Sequence, residues 1–288
     1  MLTIAVLFFS AKMTAQPITV TLTGNYSNDV KVYHDEPLLL VVSVTNQEAH
    51  ENSRWNKAAD RRLNELEELL KAGRIKQEDY DREKAKLNAG KKNISSVTIG
   101  SAGKPWSSLI SWRMVDVRSG AEITIVPKVM MNPSSEEVAV LNEKGYYAAY
   151  FGIDAAEIKN KPAGVYELTA SVEGEKSEKL RLEISNVIAP AIIAGSEAML
   201  LKLGQYYWHF GNAEKTIEYA GKILAKNPSS IDGLSLKGDG QVLQKSYQPA
   251  LETYKKAVKE YYKQNGVNSE PPEYLTTMID YIKSELGQ

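Results

Sequence analysis

Short runs of alternating apolar and polar residues dominate the first two thirds of the chain, residues 16–187. Clear examples are residues 38–44 and the pair 165–172 and 180–184, which a polar turn at 173–175 separates. Alternation places the apolar side chains of a strand on one face. Seven or more such strands with polar turns predict a β-sandwich.

Helical spacing replaces this alternation between about residues 50 and 92. Leu63, Leu66 and Leu70 recur at intervals of three and four, and Gly73 ends the run before a second helical stretch. The pattern predicts a helical hairpin inserted between two strands. Its ends, His50 and Lys92, are expected to lie close together, because the chain must return to the sheet.

The last third of the chain repeats with an offset of 34 residues, which relates Gly204 to Gly238 and Ala220 to Tyr254. Such a period is typical of stacked helix-turn-helix units. An apolar linker, residues 188–195, precedes this region and is expected to pack against one domain. Five helices are predicted after it, over 196–210, 213–226, 231–245, 247–264 and 271–286.

The repeat resembles the tetratricopeptide family. The matching residues are Leu200, Leu203, Gly204, Tyr207, Ala220 and Pro228 in one unit and Leu234, Gly238, Ala250, Tyr254 and Ala257 in the next. Thr216, Gln241 and Tyr262 depart from the family pattern. The resemblance implies a concave groove that binds a protein partner. The corresponding groove positions are Leu201, Gln205, Trp208, His209, Asp239, Val242 and Leu243.

Trp208 is the expected anchor of that groove, because a buried indole contributes strongly to interface energy. An equally open interpretation is that Trp208 packs against the linker or the sandwich. Lys and Asn, which bind C-terminal carboxylates in some repeat proteins, are replaced by Leu201 and Gln205. The binding of a partner's C-terminal carboxylate is therefore not expected.

Two shorter resemblances concern the rest of the chain. Residues 35–46 and 162–166 resemble segments of bacterial immunoglobulin-like domains, which implies that type of sandwich. Residues 70–87 are similar to the short helical module called SHOCT, although here the segment is internal.

A basic tip on the hairpin, formed by Lys71, Arg74 and Lys76, is a second candidate site for an acidic partner. The alternative is a solvated helical pair held by charge pairing such as Glu67 with Lys71, and this interpretation is favoured.

Composition narrows the function further. The apolar fraction of 43% and the charged fraction of 25% are typical of a soluble globular protein, and the net charge of −1 gives no reason to expect nucleic acid. The chain has no cysteine and 3 histidines without metal-ligand spacing, so no metal or cofactor is expected.

The N-terminus predicts export. An apolar run of signal-peptide length ends in a small-residue segment at Ala15, so residues 1–15 are expected to be a signal and Gln16 the mature start. The run is too short to cross a bilayer, and no transmembrane span is expected. The predicted location is periplasmic or extracellular.

No motif for nucleophilic, phosphate-transfer or metal-dependent catalysis is found in the sequence. We therefore expect a non-enzymatic interaction or scaffold protein of the bacterial envelope or secreted fraction, with a protein partner and no small-molecule ligand. The first alternative is a carbohydrate-binding module that uses exposed rings near Trp106, Trp112, Tyr146, Tyr147 and Tyr150, although core packing of these rings is favoured. An uncharacterised hydrolase ranks third.

Overall fold

The computed structural model of the protein describes residues 18–130 and 138–288. The predicted export signal, residues 1–15, and the expected mature start at Gln16 lie outside the described residues. The described part confirms the predicted order of a β-rich region followed by a helical region.

Short strands build the β-rich region. In chain order, β1 to β12 are Thr19–Gly24, Asp29–Val32, Leu38–Thr45, Val97–Ile99, Ser111–Asp116, Glu122–Ile123, Lys128–Val129, Ala139–Leu141, Tyr146–Ile153, Gly164–Val172, Glu175–Lys176 and Leu180–Ile184. One sheet has the order β1-β3-β9-β7, and a second has the order β2-β12-β10-β5-β6 with β11 paired to β10. Strands β4 and β8 form a separate pair. All these pairings are antiparallel except that of β2 with β12.

The two larger sheets share one hydrophobic core. Alternate residues of β3, such as Leu40, and of β10, such as Leu168, point into it and are fully buried. This is the arrangement that the period-two pattern predicts for strands with one apolar face.

Strand β3 is buried on both faces, which its unbroken apolar sequence explains. Leu38 and Leu40 belong to the shared core, whereas Leu39 and Val41 belong to a second cluster on the outer face of the sheet. Tyr206 of the helical region is part of that second cluster. The outer face of this sheet is therefore the surface on which the helical region docks.

The predicted hairpin is confirmed as α1, Gln47–Lys71, and α2, Gln77–Ala89. Its two ends are tied together, as expected: Asn52 donates to the carbonyl of Asn93 (2.8 Å), and Asn56 exchanges two hydrogen bonds with the backbone of Lys92 (2.9 and 3.0 Å).

Gly73 lies two residues after the end of α1 at Lys71 and has a φ of 68°, a left-handed conformation that suits glycine. The backbone N–H of Arg74 donates to the carbonyl of Leu69 and that of Gly73 to Leu70, each at 2.9 Å, which is a Schellman motif. The expected pairing of Glu67 with Lys71 is wrong. Lys71 pairs with Glu68 at 2.8 Å, because Glu67 accepts a hydrogen bond from the hydroxyl of Tyr80.

The C-terminal helices begin and end within about two residues of the predicted limits. They are preceded by the short helices α3, Ala155–Lys159, and α4, Ala191–Ala194. Helices α5 to α9 are Glu197–His209, Ala213–Lys226, Ile231–Leu243, Tyr247–Asn265 and Glu273–Glu285. The side chains of Ser196, Asn212 and Ser230 cap the first three by accepting a backbone N–H in the first turn.

Small residues allow these helices to approach closely. A Cβ on Gly204 would overlap the side chain of Leu236, and a Cβ on Gly238 would lie 2.7 Å from the ring of Tyr254. Ala220 is fully buried as well. These contacts agree with the small residues that the 34-residue period singled out.

The linker does not pack as expected. Ile188 is 67% exposed and Ile192 is 85% exposed, so their apolar side chains cover neither region. The helical region is instead held by α5, which lies against the outer face of the sheet.

Candidate functional site

Helix α5 presents two parallel stripes of side chains that differ by one sequence position. The cavity stripe consists of Leu201, Gln205 and Trp208. The sheet stripe consists of Lys202, Tyr206 and His209. Residues at i, i+4 and i+7 share a helix face, and a shift of one residue turns the direction by about 100°. One helix therefore holds the two regions together and lines a cavity.

The sheet stripe makes buried polar contacts with the β-rich region. The ammonium group of Lys202 lies 2.9 Å from the carboxylate of Glu36, which is only 5% exposed. The hydroxyl of Tyr206 donates to Asp154 at 2.9 Å. Burial, together with this carboxylate, raises the pKa of the Tyr206 phenol above its usual range.

His209 completes the sheet stripe. Its ring stacks on that of Tyr150 with centroids 3.9 Å apart, and its Nε2 lies 2.6 Å from the hydroxyl of Tyr26. Burial lowers the pKa of His209 to about 4, so the imidazole is neutral at pH 7. The expectation that His209 lies in the groove is therefore wrong, because the β-rich region covers it.

A tight turn between β1 and β2 delivers Tyr26 to this contact. Gly24 and Ser27 exchange two backbone hydrogen bonds of 2.8 and 2.9 Å, and the two residues between them, Asn25 and Tyr26, both have positive φ. Such a conformation is uncommon for an aromatic residue. Burial raises the pKa of Tyr26, and Asp239 of the helical region adds to the effect.

The cavity stripe lines a cleft of about 320 Å³ in the helical region, which we call the helical cavity. Its walls come from alternate helices of the region. Helix α5 provides the cavity stripe; α7 provides Ile231, Asp232, Ser235, Leu236 and Asp239; and Pro272, Tyr274 and Leu275 lie at the start of α9.

Asp239 is the buried carboxylate of the helical cavity. It is 6% exposed, and the hydroxyls of Tyr254 and Tyr274 both donate to its Oδ1. Burial raises the pKa of Asp239 to about 6, while the two hydrogen bonds act in the opposite direction. Burial raises the pKa values of both phenols, and the carboxylate of Asp239 raises them further.

Two other expected groove residues lie outside the helical cavity. Val242 packs partly against the core formed by α7, α8 and α9, and Leu243 is 37% exposed at the end of α7. Sequence reasoning missed Asp232 and Tyr274. The spacing of seven residues between Asp232 and Asp239 on one helix face could have indicated the first, whereas Tyr274 lies beyond the second repeat unit.

A larger cavity of about 520 Å³, the junction cavity, lies between the two regions. Glu36, Asp154, Tyr206 and Phe210 are among its lining residues. Its two buried or half-buried carboxylates are already partnered, Glu36 by Lys202 and Asp154 by Lys128 and Tyr206. The helical cavity is therefore the better candidate for a ligand, although it is smaller.

The basic tip is exposed, as expected for either interpretation of the hairpin. Lys71, Arg74 and Lys76 all lie on the surface, and Lys71 is neutralised by Glu68. Neighbouring residues of α1 form only an open surface depression with Arg74. The structure thus brings these three side chains to one end of the hairpin without forming an enclosed site.

The rings considered for carbohydrate binding are largely used in packing. Trp106 is fully buried, and Trp112 packs edge-on against Phe151 with centroids 5.0 Å apart. Tyr146 is 62% exposed. A single exposed ring gives little surface for stacking on a sugar.

Residues 18–130 and 138–288 contain neither a cluster of metal-binding side chains nor a helix suited to a membrane. No group of three or more His, Asp or Glu side chains is placed to hold a metal ion in these residues. Within the same part of the chain, no helix combines the length and apolar character needed to cross a bilayer.

Comparison of the sequence with models of known protein families gives no match, and a search of curated proteins finds no similar sequence.

Proposed function

We propose that this chain is a non-enzymatic interaction or scaffold protein that binds a segment of a protein partner in the helical cavity. The observation that carries the proposal is the convergence of three alternate helices on one cleft that contains Trp208, Tyr274 and Asp239. Aromatic walls with a few oriented polar groups are typical of sites that anchor one or two side chains of a partner.

We further propose a specific fold for each of the two regions. We take the helical region as a short tetratricopeptide-like array, which the 34-residue period and the close contacts of Gly204 and Gly238 support. We take the β-rich region as an immunoglobulin-like sandwich, which the shared core of its two sheets supports. In this arrangement the sandwich holds α5 and so fixes one wall of the helical cavity.

An exported location is part of the same proposal and rests on the sequence of residues 1–15 alone. N-terminal sequencing of protein from the native host tests it. A mature start near Gln16 is expected, and a start at Met1 would contradict it.

Capture of partners from an envelope fraction tests the binding role. The wild type, Trp208→Ala and Trp55→Ala are compared, since Trp55 is a second partly exposed indole, 52% exposed, on the hairpin. We expect Trp208→Ala to weaken the binding of the partner by about 2 kcal/mol or more. Trp55→Ala should retain it.

Thermal unfolding provides the control for folding. The melting temperature of Trp208→Ala should change little, because its side chain lies on the cavity wall and is not fully buried. A partner captured equally well by Trp208→Ala and the wild type would place the binding surface elsewhere.

A further inference from the structure

The side chains that line the helical cavity carry negative charge without a balancing positive charge. Its lining residues include two carboxylates, Asp232 and Asp239, and contain no lysine or arginine. Burial raises the pKa of the Asp232 carboxyl, and the nearby carboxylate of Glu197 raises it further. Uncompensated negative charge in a partly enclosed cleft attracts cations and repels carboxylates.

Asp239 also has an unused acceptor. The hydroxyls of Tyr254 and Tyr274 both bind Oδ1, and no hydrogen bond from a described residue reaches Oδ2. The side chain is more than nine-tenths buried, yet it lines the cavity. A donor that enters the cavity can therefore bind Oδ2 without displacing a protein partner.

The walls beside Asp239 suit the remainder of a long basic side chain. Trp208 and Tyr274 offer aromatic faces to a cation. Leu201 and Leu275 offer apolar contact to its methylene groups. The acidic floor and the apolar walls therefore complement two different parts of the same side chain.

From this geometry we infer that the helical cavity selects a cationic group of the partner, the guanidinium of an arginine or the ammonium of a lysine, which donates to Oδ2 of Asp239. This inference rests on the proposed function and adds the chemistry of the bound segment. The same ammonium chemistry could come from a free N-terminus, so the experiment separates the three sources.

Fluorescent peptide libraries about nine residues long are the probes. Each library is acetylated, carries neutral residues at the variable positions, and has one fixed central residue: arginine, lysine, citrulline or glutamate. A further library has a free N-terminal amine and a neutral centre. Binding to the full chain is measured by fluorescence anisotropy at pH 7.5.

We expect the arginine or lysine library to bind at least about tenfold more tightly than the citrulline library, which has nearly the same shape without the charge. Asp239→Asn should remove this difference, because the amide oxygen still accepts from both tyrosines but the charge is gone. Asp232→Asn should reduce it less, and as an exposed residue it offers a second variant with little risk to folding.

The outcomes separate the inference from the function on which it rests. Equal binding of the citrulline or glutamate library, still lost in Trp208→Ala, would overturn the cation preference and leave the cavity as the binding surface. Preference for the free-amine library would overturn the choice of a side chain as the source. If no library binds in a manner that depends on Trp208, both the inference and the proposed cavity fall.

Discussion

The hairpin α1–α2 and helix α5 both join helical structure to the β-rich region, but their attachments have opposite chemistry. Asn46 and Asn52 fix the base of the hairpin through side-chain hydrogen bonds to the backbone of residues 93–95, and α1 packs mainly on α2. Helix α5 instead buries Tyr206 and an ion pair against the sheet. The hairpin is thus tethered at one end, whereas α5 is embedded along its length.

This difference explains why a cavity forms beside α5 and not beside the hairpin. The surface of the hairpin is covered by exposed pairs of charges within single helices, such as Arg62 with Glu65 and Arg82 with Asp79. Such pairs contribute little to stability, and they do not hold another helix or sheet against the hairpin. Helix α5 is held on one face, so its next face is left as a fixed wall for the helical cavity.

The largest expected effect comes from filling the close contact of α5 with α7. In Gly204→Leu, the new side chain must displace Leu236, and we expect a loss of about 3 kcal/mol in the free energy of unfolding. The matched control is Ala85→Leu on the exposed face of α2, with an expected change within about 0.5 kcal/mol. Urea unfolding measures both. A harmless Gly204→Leu would mean that α5 and α7 are not in contact at this point.

The second prediction concerns the two kinds of ion pair. Lys202→Ala leaves the carboxylate of Glu36 buried without its partner, and we expect a loss of about 2 kcal/mol. Lys71→Ala removes an exposed pair at the hairpin tip and should leave the free energy of unfolding unchanged within the error of the measurement. Urea unfolding measures both variants. If the two substitutions lowered the free energy of unfolding equally, the distinction between the embedded helix α5 and the tethered hairpin would not hold.

The contrast also shows which parts of the molecule local sequence can predict. The C-terminal helices lie close to their predicted limits because their main signal, small residues at a fixed period, is local. In the structure, Ser196 and Asn212 cap the first two of these helices. Strands β2 and β7 were missed. They are four and two residues long, and their pairing depends on partners far along the chain.

His209 illustrates the limit at the candidate site. It follows Trp208 directly, and nothing in the local pattern distinguishes the face that meets the cavity from the face that meets the sheet. The distinction arises from Tyr150 and Tyr26, which are distant in sequence. The resemblance to tetratricopeptide repeats named the cavity stripe but placed His209 with it, and the separate sheet stripe required the fold.

The third prediction concerns the pH dependence of stability that His209 on α5 and Asp239 on α7 cause. His209 has a folded pKa of about 4, below its ordinary value of 6.5, so the unfolded chain binds more protons and stability falls as the pH decreases from 6.5 to 4. Asp239 has a folded pKa of about 6, above its ordinary value of 3.8, so it adds stability as the pH decreases from 6 to 3.8. The two effects, each on the order of 3 kcal/mol, oppose each other.

Because the two effects oppose each other, removing either ionisable group should reveal the pH dependence that the other group causes. Relative to the wild type, His209→Gln should gain stability as the pH falls from 6.5 to 4, and Asp239→Asn should lose it over the same range. Tyr26, Tyr150 and Trp208 face His209, and Tyr254 and Tyr274 face Asp239, so these five rings stay unchanged in both variants. Urea titrations at several pH values give the slopes, and parallel slopes for the two variants would contradict the assignment.

The smallest effect is expected from shortening the hairpin. Replacing residues 61–88 by a short Gly/Ser turn keeps Asn52 and Asn56, whose hydrogen bonds to Asn93 and Lys92 bring the two cut ends together. We expect less than about 1 kcal/mol of change in the unfolding of the remaining chain, since loop length has only a weak effect on closure. Replacing residues 52–90 should cost more, because Asn52 is buried at the base and its hydrogen bond is lost. If the shorter replacement abolished cooperative unfolding, the hairpin would be part of the core, and the contrast with α5 would not hold.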